Sequence, residues 1–128
     1  MSKEQFLIAM RFLAASVSVI STKDSSGKLY AMTASSVTSL TIDPPSILVC
    51  VNKEASIHDA LTQGENLCIN ILQKNQQEIS NLCSSKKLES QRFENDFWDT
   101  TYIPFVKNAQ SNIFCKVEET IAYHTHKI

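Results

Sequence analysis

Residues 32–45 read MTASSVTSLTIDPP and place six Ser or Thr side chains shortly before the apolar run ILVCV at 47–51. Because side chains alternate between the two faces of a strand, residues 37–42 predict a strand with one mostly polar face. Asp43-Pro44-Pro45 predicts a turn, since proline cannot donate to a strand ladder. The apolar run predicts a following strand that is buried on both faces.

The rest of the chain predicts more short strands. β-Branched residues over 17–22 favour a strand, and a turn at 23–27 predicts a hairpin that returns over 29–33. Further strands are predicted over 67–72 and 113–121. Short strands joined by hairpins and tight turns favour one antiparallel barrel with peripheral helices.

Three helices are predicted around these strands. The N-terminal one, over 3 to about 15, rests on apolar residues at helical spacing, namely Phe6, Met10, Leu13 and Ala14. Ser56 is predicted to cap a second helix that runs to about Thr62, and Asn75 to cap a third through Cys83. Residues 84–103 are predicted to be irregular, with three aromatic anchors, Phe93, Phe97 and Trp98.

Composition narrows the class of protein. The chain has 128 residues, 43% of them apolar, and a net charge of −1, which predicts one globular domain without the basic excess of a nucleic-acid binder. No apolar run approaches the ~18 residues of a membrane span, and the N-terminus lacks the apolar core of a signal peptide. The four cysteines form no CxxC pair, so we expect reduced thiols and a cytoplasmic protein.

Glycine is scarce, with only Gly27 and Gly64. A dinucleotide-binding fingerprint or a P-loop needs several glycines in one turn, because the backbone must approach phosphate closely. Both motifs are therefore excluded. If the protein binds a nucleotide, other groups must hold the phosphate.

One segment offers such groups. The predicted strand that ends at Asn52 leads into Lys53, Ser56 and His58, which combine a cation, a hydroxyl and an imidazole near a predicted helix start. This pattern suggests a phosphate pocket, and the alternative interpretation is a solvated turn with an ordinary helix cap.

Two other kinds of site have weaker support. His124 and His126 would share a strand face as two metal ligands, but no third ligand offers itself, so we predict no metal site and interpret the pair as an exposed strand end. The chain lacks the GxSxG motif of many hydrolases. A hydrolase whose Ser, His and Asp are far apart in sequence remains an alternative.

Several segments together resemble the flavin reductase-like family, whose fold is the FMN-binding split barrel, and are most similar to the reductase components of two-component flavin monooxygenases such as 4-hydroxyphenylacetate hydroxylase. They occur in family order over nearly the whole chain: residues 12–22 (FLAASVSVIST), 32–39 (MTASSVTS), 43–45 (DPP), 48–52 (LVCVN), Ser56 and His58, 70–72 (NIL), 92–93 (RF) and 125–126 (TH).

The resemblance implies a Greek-key split β-barrel that forms a homodimer and binds FMN, with FAD as an alternative, near the dimer interface. The flavin ring would lie against Met32, Thr33, Ala34, Ser35 and Ser36, with Ser39 nearby. Cys50, Val51 and Asn52 would line the ribityl chain. Lys53, Ser56 and His58 would hold the phosphate, Phe93 would pack beside the cofactor, and His126 would lie near flavin and nicotinamide as the catalytic candidate.

The implied activity is an NAD(P)H-dependent flavin oxidoreductase that supplies reduced flavin to a transient partner monooxygenase. Hydride transfer between the two cofactors needs no general base, which agrees with a sequence that offers no acid–base pair. A flavin-binding protein of the same fold without turnover is the alternative.

The chain departs from the family pattern at three places. His124 stands where members usually carry a glycine, and Asn108 lies near another usual glycine. The family also continues into a final strand and tail, so residues 1–128 are expected to form a single domain that lacks them.

Overall fold

The computed structural model describes residues 1–13 and 16–128, and this part of the chain is mainly β. Its strands are β1 Ser18–Lys23, β2 Leu29–Ala34, β3 Val37–Ile42, β4 Pro45–Val49, β5 Val51–Asn52, β6 Asn66–Ile71, β7 Trp98–Asp99, β8 Phe105–Val106, β9 Ser111–Lys116, β10 Ala122–Tyr123 and β11 His126–Lys127. The α-helices are α1 Lys3–Arg11 and α2 Gln77–Ser84, and 3₁₀ helices span Ser56–Ala60, Lys74–Gln76 and Lys86–Gln91.

The largest sheet is antiparallel and has the strand order β2-β1-β6-β9. A second, smaller sheet has the order β10-β11-β5, while β3 pairs with β4 and β7 pairs with β8. Within the described ranges, no helix is long and apolar enough to cross a membrane.

Apolar side chains pack on both faces of the large sheet. Val19 and Ile20 are neighbours on β1 and are fully buried, and they belong to different clusters because successive side chains point to opposite faces. One cluster includes Ile79 of α2, and the other includes Val51 of β5 and Ile57 of the first 3₁₀ helix. The large sheet therefore supports both α2 and the segment that follows β5.

Asn70 is a fully buried polar residue at the centre of the large sheet. Its Nδ2 donates to the Val19 carbonyl at 2.8 Å and to Ser21 Oγ at 3.0 Å. Its Oδ1 accepts from the backbone N–H of Val106 and from Asn112 Nδ2, both at 2.8 Å. The amide therefore offsets the cost of its burial and ties β8 to the large sheet.

The predicted strands are confirmed with two corrections. The strand predicted over 47–51 is interrupted at Cys50. Only Val51 is buried, because Ile47, Leu48 and Val49 line an open groove. The strand predicted over 113–121 ends at Lys116, opposite the first residue of its antiparallel partner β6, and Val117 then donates its N–H to the Glu65 carbonyl.

The helix predictions need more correction. Ala55, not Ser56, precedes the 3₁₀ helix Ser56–Ala60, which is also shorter than predicted. Gln76, not Asn75, precedes α2, because residues 74–76 form a separate 3₁₀ turn. A 3₁₀ helix and β7 occupy part of the region predicted to be irregular.

The N-terminal helix ends at Arg11, and residues 14 and 15 of the prediction lie outside the described residues. Its apolar side chains are not covered, since none of the residues of α1 is buried.

Two turns have left-handed backbone at residues other than glycine. Among the described residues with a side chain, positive φ occurs at Asn108 (59°) and His124 (49°). His124 lies in the tight turn between β10 and β11, the position at which the resemblance leads one to expect glycine. The chain therefore keeps the turn geometry without the residue that adopts it most easily.

Candidate functional site

A cleft of about 350 Å³ opens between β2, β5 and the C-terminal end of α2. Its walls combine segments that are far apart in sequence and that meet at the β2 edge of the large sheet. They are Ala31, Met32, Thr33, Asn52, Glu54, Ala55, Ser56, Ile57, Cys83, Ser84, Lys86, Glu89 and Arg92.

The first wall is β2, which contributes two of the predicted ring contacts, Met32 and Thr33. The Thr33 hydroxyl donates to the Ser80 carbonyl of α2 at 2.7 Å, so its proton is already engaged. Ala34 is buried in the cluster against which Met32 also packs. Met32 and the backbone are therefore the groups that this wall presents.

The predicted serines lie past the end of β2. Ser35 and Ser36 are exposed in the turn between β2 and β3, outside the cleft lining, and Ser36 Oγ donates to the Cys50 carbonyl at 3.2 Å. Ser39 lies on β3 and lines a second, larger groove instead.

The second wall begins at Asn52, the last residue of β5, and continues into the next 3₁₀ helix. Asn52 and Ser56 both line the cleft. Ala55 occupies the cap position of the 3₁₀ helix, so the Ser56 hydroxyl is not committed to capping it and is available to a ligand. Asn52 Oδ1 accepts the backbone N–H of Glu54 at 2.9 Å.

The other residues predicted on this segment do not line the cleft. Cys50 is half-buried and Val51 is buried in the core. Lys53 is exposed beside the cleft, and His58 Nδ1 lies 2.8 Å from Asp59 Oδ1. Of the three predicted phosphate ligands, Ser56 alone is on the wall.

His126 lies beside this second wall. In the antiparallel register His126 faces Asn52, and the two side chains therefore share one face of the small sheet. The backbone N–H of Lys53 donates to the Thr125 carbonyl at 2.9 Å, and Thr125 Oγ1 lies 2.9 Å from His126 Nδ1. The structure thus brings together two predicted site residues that are 74 positions apart in sequence.

The third wall contains a buried cation, Arg92, that is not among the predicted site residues. Arg92 is 7% exposed, and its guanidinium donates to the carbonyls of Ala31 (2.7 Å), Leu82 (2.9 Å) and Ser85 (3.1 Å). The only sequence signal that pointed to Arg92 was its position in the family-like segment 92–93 (RF).

Phe93, which was predicted to contact the cofactor, is the neighbour of Arg92 but does not line the cleft. It packs against Trp98, with ring centroids 4.6 Å apart, and lies against the core cluster beneath α2.

The cleft contains charges of both signs. Lys86 and Arg92 contribute cations, and Glu54 and Glu89 contribute carboxylates. An arginine has more N–H groups than the three that Arg92 donates to carbonyls, and within residues 1–13 and 16–128 no carboxylate forms an ion pair with it. Burial raises the pKa of the Cys83 thiol to about 12, so that thiol is protonated at neutral pH.

These groups can bind a polar, partly anionic ligand. The single close pair of a histidine and a carboxylate in the described structure is His58 with Asp59, and Asp59 is exposed. In the same part of the chain, no three His, Cys, Asp or Glu side chains are grouped to hold a metal ion.

Known proteins are similar to this chain in sequence and in fold. The model of the flavin reductase like domain matches residues 10–128. An FMN reductase (NADH) of Pseudomonas syringae pv. syringae strain B728a is 38% identical over 129 residues, which covers 99% of this chain and 72% of the relative.

Two solved structures have nearly the same backbone. A protein of Haemophilus somnus 129PT assigned as a flavin reductase has a TM-score of 0.89 and 32% identity, and the match covers 99% of this chain and 82% of the other. The styrene monooxygenase flavin reductase of Pseudomonas putida S12 has a TM-score of 0.84 and 26% identity, with 96% and 79% covered. With the family model matched over most of its length, the chain belongs to the flavin reductase-like family.

Proposed function

We propose that this protein is an NAD(P)H-dependent flavin oxidoreductase that transfers a hydride from NAD(P)H to FMN. The observation that carries the proposal is the cleft itself, because it joins Met32 and Thr33 of β2 to Asn52 of β5 and to Ser56, with His126 facing Asn52. Membership of the flavin reductase-like family and the relative named FMN reductase (NADH) support it.

The residues of the cleft suit a flavin mononucleotide. The flat ring needs an apolar surface and hydrogen-bond donors along one edge, and Met32 with the neighbouring backbone of β2 offers both. The phosphate needs cations and hydroxyls, and Ser56, Lys86 and Arg92 offer them without a glycine-rich loop. Lys53 is exposed next to Asn52 along the chain and would add a further cation, and the His58 ring lies two residues after Ser56.

The bound flavin supplies the hydride acceptor, and the protein's task is to orient the two cofactors. We assign His126 to the nicotinamide side of the cleft, because it shares a sheet face with Asn52 and is held by Thr125. Asn52 is assigned to the ribityl chain. Ser35 and Ser36, which are exposed past the end of β2, are assigned to the polar edge of the ring.

We further propose that residues 1–128 form one domain whose sheets are the halves of a Greek-key split β-barrel, and that the domain works as a homodimer. A groove of about 760 Å³ runs between the β3–β4 hairpin, β9 and the β10–β11 hairpin, and it is mostly apolar. Large apolar side chains stand exposed along it, among them Leu40, Ile42 and Phe114. A second copy that covers these residues would account for their exposure.

A flavin-dependent monooxygenase is the proposed user of the reduced flavin. The support is the fold shared with a styrene monooxygenase flavin reductase. All four cysteines belong to the described residues and are free, which supports our proposal of a reducing compartment, the cytoplasm.

The test is an anaerobic titration of the purified protein with FMN and then with NADH. We expect FMN fluorescence to be quenched on binding and the visible flavin band to bleach at one equivalent of NADH. Binding without bleaching by NADH or NADPH would leave a flavin carrier, and failure to bind FMN or FAD would reject both functions.

A further inference from the structure

Lys127 is a half-buried cation next to His126 that the proposed reaction does not use. Its Nζ donates to the carbonyl of His58 at 2.6 Å and to that of Leu61 at 2.8 Å. These carbonyls belong to the C-terminal end of the 3₁₀ helix Ser56–Ala60 and the residue after it. A cation there also complements the partial negative charge of the helix end.

The strand pairing makes this contact relevant to the cleft. Lys127 faces Val51 in the register, and His126 faces Asn52. Because successive side chains of a strand point to opposite faces, Lys127 points to the core side with Val51, and His126 points to the side of Asn52. The ammonium therefore fixes the position of β11 from the face that His126 does not occupy.

The rest of the hairpin has few other attachments to the site. β11 pairs with β5 over two residues, and the Lys53 N–H donates to the Thr125 carbonyl. At the other end, Ile121 and Ile128 exchange backbone hydrogen bonds within the hairpin itself, both of 2.8 Å. Lys127 is thus the long side chain that joins this hairpin to the helix beginning at Ser56.

We propose that Lys127 is a positioning residue that locks the β10–β11 hairpin to the end of the Ser56–Ala60 helix and thereby sets the distance between His126 and the Asn52–Ser56 wall. The proposal rests on the proposed function, since it concerns the placement of the nicotinamide side relative to the flavin side. The residue acts through His126 and does not touch either cofactor.

The variants Lys127→Met and Lys127→Arg test it. Methionine keeps the apolar stem but removes the ammonium, and arginine keeps a charged donor that can reach the same carbonyls. Lys74→Met, on an exposed turn far along the chain from the hairpin, is the matched control for loss of a lysine.

The first readout needs no flavin. In the apo protein we expect Lys127→Met to move the His126 ring proton resonance toward its value in an unstructured peptide, and Lys127→Arg and Lys74→Met to leave it in place. A resonance that does not move in Lys127→Met would overturn the proposal.

The second readout is steady-state kinetics with FMN and NADH. We expect Lys127→Met to lower kcat about 10-fold with the KM for FMN unchanged, because a misplaced hairpin disturbs hydride transfer geometry rather than flavin binding. Combined with His126→Ala, the lysine change should have no additional effect.

The outcomes separate the two claims. An inactive wild-type protein would reject the proposed function, while the resonance would still report on the lock. An active wild type in which Lys127→Met has normal kcat, or in which its effect adds fully to that of His126→Ala, would reject the positioning role.

Discussion

His126 and Asn52 face each other across the two-residue pairing of β11 with β5, so the imidazole and the carboxamide share one face beside the cleft. A hydrogen bond of 2.9 Å between Thr125 Oγ1 and His126 Nδ1 orients the imidazole ring. This pairing joins residues 125–126, the last family-like segment of the chain, to residues 48–52, another such segment.

Replacement of His126 is expected to impair turnover. His126→Ala should lower the rate of NADH-dependent FMN reduction about 10- to 100-fold, because orientation of the two cofactors is the protein's main contribution. Stopped-flow absorbance under anaerobic conditions measures it, and the FMN dissociation constant should not change. His124→Asn is the control, since asparagine tolerates the left-handed backbone there. Unchanged reduction in His126→Ala would remove this residue from the site.

Ser56 is expected to discriminate flavins that carry a phosphate. Ser56→Ala should weaken FMN about 10-fold and riboflavin much less, because the hydroxyl would donate to the phosphate that riboflavin lacks. Lys53→Ala should have a smaller effect, since Lys53 lies outside the cleft lining. Fluorescence titration with both flavins measures the ratio, and equal losses for FMN and riboflavin would contradict the assignment.

Arg92 places a positive charge in the cleft, and we expect it also to stabilise the folded protein. Arg92→Met should lower the free energy of unfolding by about 3 kcal/mol, because three carbonyls on two elements and a loop lose their donor. Urea unfolding followed by tryptophan fluorescence measures the loss. Arg11→Met, at the exposed end of α1, should change stability by less than about 0.5 kcal/mol. Equal stability of the two variants would show that the buried contacts are not needed.

Asn108 is expected to tolerate glycine but not alanine. At φ 59° a Cβ is unfavourable, and asparagine is among the side chains that adopt this region most readily. Asn108→Ala should therefore cost about 1 kcal/mol, and Asn108→Gly should be neutral or slightly stabilising. The bond from Gln73 Nε2 goes to the Asn108 carbonyl and persists in both variants. Thermal unfolding compares them, and a more stable alanine variant would refute the reasoning.

The buried thiols predict how stability depends on pH. Burial raises the pKa of Cys68 and of Cys83 from 9.0 to about 12. Above pH ~9 the unfolded chain releases protons that the native thiols retain, so the free energy of unfolding falls as pH rises toward ~12. Cys83→Ala should flatten this fall between pH 8 and pH 10.5 in urea titrations. A slope that is the same in both proteins would indicate that other groups dominate.

The strands could be predicted from sequence because their signals are local. Alternation and β-branched residues define β1, β2 and β3, and the Gly27 turn defines the first hairpin. The helix starts were predicted less well, because Ala55 and Gln76 precede their helices without a side-chain cap that the sequence could reveal. The burial of Ile47 to Val49 depends on which strands pair, and this is a long-range property.

The residues of the cleft likewise include some that sequence motifs indicate and one that they do not. Met32, Thr33, Asn52 and Ser56 were predicted from motifs that the family resemblance covers, and the structure places all four on the walls of the cleft. Arg92 was missed because an arginine before an aromatic residue has no local signature of burial. Its role depends on Ala31, Leu82 and Ser85, whose carbonyls converge only in the folded chain.

The shortness of β5, β10 and β11 has a consequence for how the protein responds to ligands. Each is two residues long, whereas the strands of the large sheet have six residues each. Local opening of the short strands therefore takes less free energy than global unfolding, and amide hydrogens there exchange with solvent sooner than those of β1 or β6. A molecule that spans the cleft and the hairpin holds this edge closed, so slowed deuterium uptake at residues 121–128 reports occupancy of the site.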